Sequence, residues 1–311
     1  MLKLNTLSGF GSGAAGAAPS ATNGYHGGPQ TVNKLVFATS VMSASTDSTL
    51  SLSRSQLGSM SDTTLYGYWI GGGGTRTADR IVFATDVTSA HTDADLSADA
   101  ESQRGFSDGD TAGFGYIGGG ANGGQQSRTE RLTFSTGVMA VNTDSDLSQS
   151  RTQLGGVSDN TTHGYWMGGY SSTPSTITDR IVFASSVTTV NTDATLPQAV
   201  SANIGGVSDL TTYGYSLGGQ TGSSVNIDLA DRITYSTSVT AAHTDSNLPG
   251  VRRSTHGFGD ATYGFVAGGY TGATVSTTVR MTFSTGVIAA HTDADLTATS
   301  IWGCGISYGN A

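Results

Sequence analysis

Among the aspartates that stand one residue apart in this chain are three pairs that begin at a Thr-Asp step: Asp93 with Asp95, Asp144 with Asp146, and Asp293 with Asp295. Two carboxylates so spaced are the oxygen donors that a hard cation, or a sugar nucleotide held through one, requires. His91, His243 and His291 each stand two residues before a Thr-Asp aspartate, Gly71 to Gly74 form an unbroken glycine run, and Cys304 is the single thiol. A glycine run can cradle phosphate, and paired acids can hydrolyse a glycosidic bond.

Periodicity argues against most of this chemistry. The aspartate pairs recur along the chain, whereas a catalytic centre needs one constellation; a recurring Asp is better explained by a turn whose backbone N–H groups it satisfies. The three histidines occupy one position of a repeat in its second, fifth and sixth copies, so they are spread apart. A phosphate loop is followed by a helix, and a strand follows Gly71 to Gly74. Cys304 has no phased His or Asp partner and is expected to be a small, inert core residue; one cysteine also rules out an intrachain disulfide and any multi-cysteine metal site. No catalytic residue, metal or cofactor is expected. Glu101, Asp110 and Asp228 fall outside the repeat, but no two of them form a recognisable acid–base pair.

The elements that must position these residues recur six times. The first landmark is an aromatic run ending in a double glycine, as in Gly67-Tyr68-Trp69-Ile70-Gly71-Gly72, with further pairs at Gly118-Gly119, Gly168-Gly169, Gly218-Gly219 and Gly268-Gly269 and a shorter first copy, Gly24-Tyr25-His26-Gly27-Gly28. The second is a cation opening an alternating strand: Lys34, Arg80, Arg131, Arg180, Arg232 and Arg280. The third is Thr-Asp, at Asp47, Asp93, Asp144, Asp193, Asp245 and Asp293. Cation and aspartate are 13 residues apart in every copy, which implies a hairpin of fixed register. With a turn centred at Thr85-Asp86, Arg80 stands opposite His91 and Asp93 is its diagonal neighbour, so a ladder of structural ion pairs is expected between Arg80, Arg131, Arg180, Arg232 and Arg280 and the Thr-Asp aspartates. From the double glycine to the cation the counts are instead 6, 8, 12, 11, 13 and 11, and length variation is concentrated there.

A further apolar segment precedes each aromatic strand, for example Gly156-Val157-Ser158-Asp159, so each unit of about fifty residues holds four short antiparallel strands. That is too long for a β-helix coil and suits a propeller blade. The expected fold is all-β: a six-bladed β-propeller over residues 23 to 311, preceded by a Gly/Ala/Ser-rich arm at 1 to 22. The last segment, Ile301 to Asn310, aligns with strand a of the other copies, Trp302-Gly303-Cys304-Gly305 falling against His256-Gly257-Phe258-Gly259, and is expected to close the ring beside Gly24 to Gly28.

These units resemble kelch repeats: a hydrophobic strand ending in a double glycine, a strand with an aromatic, and a leucine, as in Leu196-Pro197 and Leu248-Pro249. Arg54, Arg151 and Arg252, each four residues after that leucine, extend the match, while Thr-Asp stands where a kelch outer strand has tryptophan. The wording Tyr-Gly-Tyr-x-x-Gly-Gly followed by Asp-Arg-Ile-x-Phe also resembles repeat proteins of tailed-phage virions. That resemblance implies a non-enzymatic virion component, an adhesion protein or an accessory piece of capsid, neck or tail, with the N-terminal arm docking on other virion proteins and a host-surface glycan as a candidate ligand. Some kelch-like propellers are carbohydrate-active enzymes, which is the alternative.

Composition narrows the partners. Charged residues are 12% of the chain, about half the usual 25%, and the net charge is −9 with Lys3 and Lys34 the only lysines; nucleic acid is a poor fit, since phosphate neutralisation needs clustered cations. No stretch of the N-terminus is apolar enough for a signal peptide or membrane helix, so membrane insertion is not expected. The variable b–c loops (73 to 79, 120 to 130, 170 to 179, 220 to 231, 270 to 279) are the expected recognition surface, with Tyr170 and Tyr270, just past their double glycines, as candidate sugar-stacking residues.

Overall fold

Short alternating runs, punctuated by double glycines and Asp-containing turns, form twenty-four strands in the computed structural model, which describes residues 22–62, 64–109, 113–202 and 204–307. The first blade takes β1 (Asn23–Gly27), β2 (Thr31–Val36) and β3 (Val41–Thr49). The second is β4 (Gly58–Ser61), β5 (Tyr66–Ile70), β6 (Ala78–Val82) and β7 (Val87–Ala90). The third is β8 (Arg104–Ser107), β9 (Phe114–Gly118), β10 (Thr129–Thr133) and β11 (Val138–Val141). The fourth is β12 (Gly155–Ser158), β13 (His163–Met167), β14 (Thr178–Val182) and β15 (Val187–Val190). The fifth is β16 (Gly205–Ser208), β17 (Tyr213–Gln220), β18 (Asn226–Thr234) and β19 (Val239–Ala242), and the sixth is β20 (His256–Gly259), β21 (Tyr263–Ala267), β22 (Thr278–Thr282) and β23 (Val287–Ala290). The final strand, β24 (Cys304–Ser307), crosses back to complete the first blade, whose order is β24-β1-β2-β3.

Innermost strands touch in the cycle β24, β4, β8, β12, β16, β20 and back to β24, so the molecule is a closed six-bladed β-propeller. Closure pairs Gly24 with Ser307, Tyr25 with Ile306, His26 with Gly305 and Gly27 with Cys304. Cys304, not Trp302, therefore occupies the place of His256, two residues from the alignment read off the sequence; Ile306 is the apolar residue that fills the Phe258 position and joins the core with Tyr25, Leu57 and Trp69.

The blades adhere through rings. A buried aromatic of strand b stacks on the aromatic that ends strand c of the next blade at all six junctions: Tyr25 on Phe83, Tyr68 on Phe134, Tyr116 on Phe183, Tyr165 on Tyr235, Tyr215 on Phe283 and Phe265 on Phe37, with centroids 5.7–6.1 Å apart. Trp69 and Trp166, one residue further along strand b, face the opposite way into the cluster shared with the preceding blade. The apolar core is thus six wedges between blades.

Two backbone demands explain the glycines. At the end of strand b, Gly168 and Gly169 have φ of +61° and +95°, a conformation cheap only for glycine. Around the axis, inner strands approach until their backbones touch: a Cβ at Gly257 would overlap the carbonyl oxygen of Gly206.

The outer hairpin departs from the expected register. Its turn occupies four residues, Phe83 to Asp86, with Asp86 at φ +58°, so Arg80 pairs with Ser89 and not with His91. Ser40, Gly137, Ser186, Ser238 and Gly286 repeat the positive φ in the other blades. The Thr-Asp segment is a 3-10 turn in five blades and part of β3 in the first.

Two measurements test this construction. A chain ending at residue 299 lacks the inner strand of the first blade, and its melting temperature should fall by on the order of 10 °C or more; full retention would contradict the closure. Gly257→Ala should lower the melting temperature by several degrees, corresponding to about 1–3 kcal/mol, while Gly250→Ala, whose Cβ would meet nothing within 4 Å, should leave it unchanged.

Candidate functional site: the loop face and the channel mouth

Strand direction sorts the connections onto two faces. Strand b ends at the double glycine beside the start of strand a, so the b–c loops and the links between blades share one face, and the a–b and c–d turns share the other. Thr22, whose carbonyl accepts from Phe37 N, and Ser307, paired with Gly24, both lie on the turn face; residues 1–21 of the arm are outside the described residues. On the loop face the fifth blade stands out: β17 and β18 continue past the double glycine as a hairpin, pairing Gln220 with Asn226, and Val225 at its tip is 57% exposed.

Tyr170 and Tyr270 lie on this face in the fourth and sixth blades and are not brought together. Each is half-buried and exchanges backbone hydrogen bonds with the link entering its blade, Tyr170 with Thr152 and Tyr270 with Arg253. The Arg253 guanidinium also lies 4.8 Å over the Tyr270 ring.

The expected ion-pair ladder does not form among the described residues. The cations instead cover the first residue of strand b: Arg80 over Tyr66, Arg131 over Phe114, Arg232 over Tyr213 and Arg280 over Tyr263, at 4.2–4.5 Å, a contact worth about 0.5–2 kcal/mol. Arg180, with His163 in that place, reaches Ser238 Oγ of the next blade at 3.3 Å, and Lys34 pairs with Asp86 at 2.5 Å. The shifted register accounts for this. Asp93, Asp144, Asp193, Asp245 and Asp293 are exposed in their 3-10 turns; the second carboxylate of each pair is the one that binds backbone, Asp95 accepting from Ala78 N, Asp146 from Thr129 N and Asp295 from Thr278 N at 2.7–2.8 Å. His91, His243 and His291 pack separately on Tyr68, Tyr215 and Phe265, and no three His, Cys, Asp or Glu among the described residues are grouped to hold a metal.

The site that sequence reasoning missed lies on the axis. A cavity of about 130 Å³ runs between the six inner strands. At its turn-face end serines stitch neighbouring blades: Ser61 Oγ donates to Ser307 O, Ser158 Oγ to Ser107 O and Ser208 Oγ to Ser158 O, at 2.8–3.0 Å. At the loop-face end the first inner-strand residue is glycine in three blades, Gly58, Gly155 and Gly205, but Arg104, His256 and Cys304 in the third, sixth and first. All three are buried and line the cavity. Arg104 Nε donates to Leu154 O at 3.0 Å and its Nη1 lies 3.8 Å from Cys304 Sγ, while the thiol is 3.0 Å from Ser59 Oγ. Arg104 Nη2, both ring nitrogens of His256 and Nδ1 of neighbouring His26 have no hydrogen-bond partner among the described residues. Burial holds His256 well below its ordinary value, pushes His26 down to about 4 and raises the Cys304 thiol, so all three are neutral at pH 7. The signal was present as a break in the glycine pattern of strand a. Of the acids outside the repeat, Glu101 and Asp228 do not line this cavity, and Asp110 is outside the described residues.

Buried arginines elsewhere show what the fold ordinarily does with one. Arg54 and Arg151, on the links into the second and fourth blades, bond the carbonyls of Gly71 and Gly168 and pair with Asp79 and Asp179. Arg252 bonds Gly268 O and Thr277 O at 3.3 and 2.9 Å. In the fifth blade the acid, Asp231, is present, but Val200 stands four residues after Leu196, where the arginine would be. Burial raises Asp231 to about 6 from 3.8. The folded protein then holds this proton over a range where the unfolded chain has released it, so stability falls as pH rises from about 4 through 6. Asp231→Asn should raise the melting temperature at pH 7, by a free energy of at most about 3 kcal/mol, and flatten its decline between pH 4 and 7; parallel pH profiles for the two proteins would refute the assignment.

No helix among the described residues is long and apolar enough to cross a membrane. No protein-family model matches the sequence, and no curated protein matches it significantly.

Proposed function

We propose that this protein is a non-enzymatic binding module of kelch-like type in a tailed-phage virion, presenting its loop face to a partner and its turn face to the particle. The observation that carries the reading is the division of the ring into two unlike faces. The c–d turns, four residues in every blade, the short a–b turns and the point where the N-terminal arm joins lie on one; the length-variable b–c loops lie on the other, including the fifth-blade hairpin with its exposed Val225. Variable loops on a rigid scaffold are a recognition surface, and an arm leaving from the opposite face is free to dock on other virion proteins without obstructing them. A host-surface glycan suits loops rich in Ser, Thr, Asn and Gly with Tyr170 and Tyr270 at their bases. Binding is favoured over hydrolysis because no Asp or Glu lines the central cavity among the described residues, and a glycosidase needs two.

The test has two arms. Antibody raised against the ring should label intact tailed-phage particles by electron microscopy; absence of label would sink the virion reading. The purified chain, screened on an array of bacterial surface glycans, should bind a subset, and replacing 220–226 by a two-residue turn should weaken that binding at least tenfold without shifting the melting temperature. Release of reducing sugar from the bound glycan would overturn the non-enzymatic assignment.

A further inference from the structure

The loop-face end of the channel carries an uncompensated charge. Arg104 is 6% exposed, and a guanidinium stays protonated in proteins. Transferring one out of water costs several kcal/mol unless an anion or a full set of acceptors replaces the water. Arg54 and Arg151 have buried carboxylates, and Arg252 has carbonyls and a hydroxyl. Arg104 has one carbonyl, a distant thiol kept protonated by its own burial, and an Nη2 with no partner among the described residues. No carboxylate lines its cavity among the described residues. Opposite it across the ring, His256 offers a neutral imidazole with both nitrogens unsatisfied.

Packing does not require these side chains. Gly58, Gly155 and Gly205 fill the same position in three other blades, so the fold is built with no side chain there. Arg104, His256 and Cys304 come from three separate repeats yet meet at one end of one cavity, and the cavity, at about 130 Å³, is several times what one water needs.

We propose that the loop-face end of the central channel is a binding site for a small oxyanion, a carboxylate or an inorganic oxyanion, which Arg104 binds through Nη2 with His256 donating a second hydrogen bond from the opposite blade. The anion completes the hydrogen bonding of both side chains and neutralises a buried cation that has neither an anionic partner nor a full set of polar partners among the described residues. The site is independent of what the loops recognise.

The experiment uses the full chain in salt-free HEPES, with ionic strength matched by sodium HEPES, whose sulfonate is attached to a body too large for the cavity. Sodium acetate, sulfate and phosphate are titrated separately by calorimetry and by melting temperature. At least one should bind saturably and raise the melting temperature by several degrees; response to acetate alone identifies a carboxylate site, and response to sulfate or phosphate an inorganic oxyanion site. Arg104→Met keeps the aliphatic stem and removes the charge. It should melt no lower than the parent without anion, because an uncompensated charge is gone, and lose the anion response at least tenfold. A purely structural Arg104 would give the reverse, a lower melting temperature and an unchanged response. Should that variant fail to fold, bromide soaked into crystals of the unaltered protein decides: an anomalous peak beside the Arg104 guanidinium supports the site. No response to any probe, or no bromide there, overturns it.

Discussion

Everything in this molecule depends on an aromatic ring of one blade lying flat against an aromatic ring of the next. A four-stranded sheet of such short strands cannot bury an apolar face by itself, and the six clusters of buried side chains all lie between blades. Strand b supplies one ring and the end of the neighbouring strand c the other, at a spacing that varies by only 0.4 Å around the circle, from 5.7 to 6.1 Å. Stacked pairs contribute about 0.5–1.5 kcal/mol each beyond their area, but their larger consequence is geometric. Equal wedges close a ring only if every junction turns through the same angle, so the fixed 13-residue hairpin and the invariant aromatic positions are two sides of one requirement. The cation that caps the outer end of strand b, and the tyrosine hydroxyls that reach across, Tyr116 to Ser186 and Tyr165 to Ser238 at 2.8 and 2.9 Å, lock the same junction.

That requirement divides the chain into residues that must repeat and residues that are free not to. The c–d turns carry the clamps between blades and keep their four-residue length. Loop-face connections begin only after the double glycine has ended strand b, so insertions there do not disturb the stack; the fifth blade extends its hairpin by bulging between Leu217 and Gly219 while Tyr215 keeps its place on Phe283. Length variation is greatest in the b–c loops because lengthening the chain there costs nothing at a junction.

The architecture was legible because it is written six times. Strand positions, double glycines, ring number and the partner of the last strand all follow from periodicity, since a residue type recurring at a fixed offset reports a backbone position with a fixed demand. Side-chain partners were less legible. Arg80 was expected beside Asp93, and a turn centred one residue before the expected position moved its partner by two, to Ser89, and put it over Tyr66; the left-handed conformation of Asp86 sets that turn, and Ser or Gly holds the same place in the other blades, so no one residue type marks it. Cys304 was displaced by two residues in the alignment because a final copy lacking strands b to d offers few landmarks. The second aspartate of each Asp-x-Asp pair holds strand c and the first is solvent-exposed, a distinction that depends on which one faces the Ala78 type of amide. Arg104 and His256 went unseen for the opposite reason: attention to what recurs discounts what occurs once.

Single occurrences are where a symmetric scaffold departs from its own stability. A position that accepts glycine in three blades has no structural need for arginine in a fourth, and burying a guanidinium without a carboxylate runs against the treatment of Arg54 and Arg151 in the same chain. The axis is the one place where residues from non-adjacent blades converge, so it is where three unique substitutions in three repeats can form a single polar cluster. Six-fold repetition builds a rigid wall around that point, the glycines at Gly206 and Gly257 let the inner backbones approach closely, and Arg104 is buried within it. Low polarity strengthens the field of Arg104 for the same reason that it makes the side chain costly to bury.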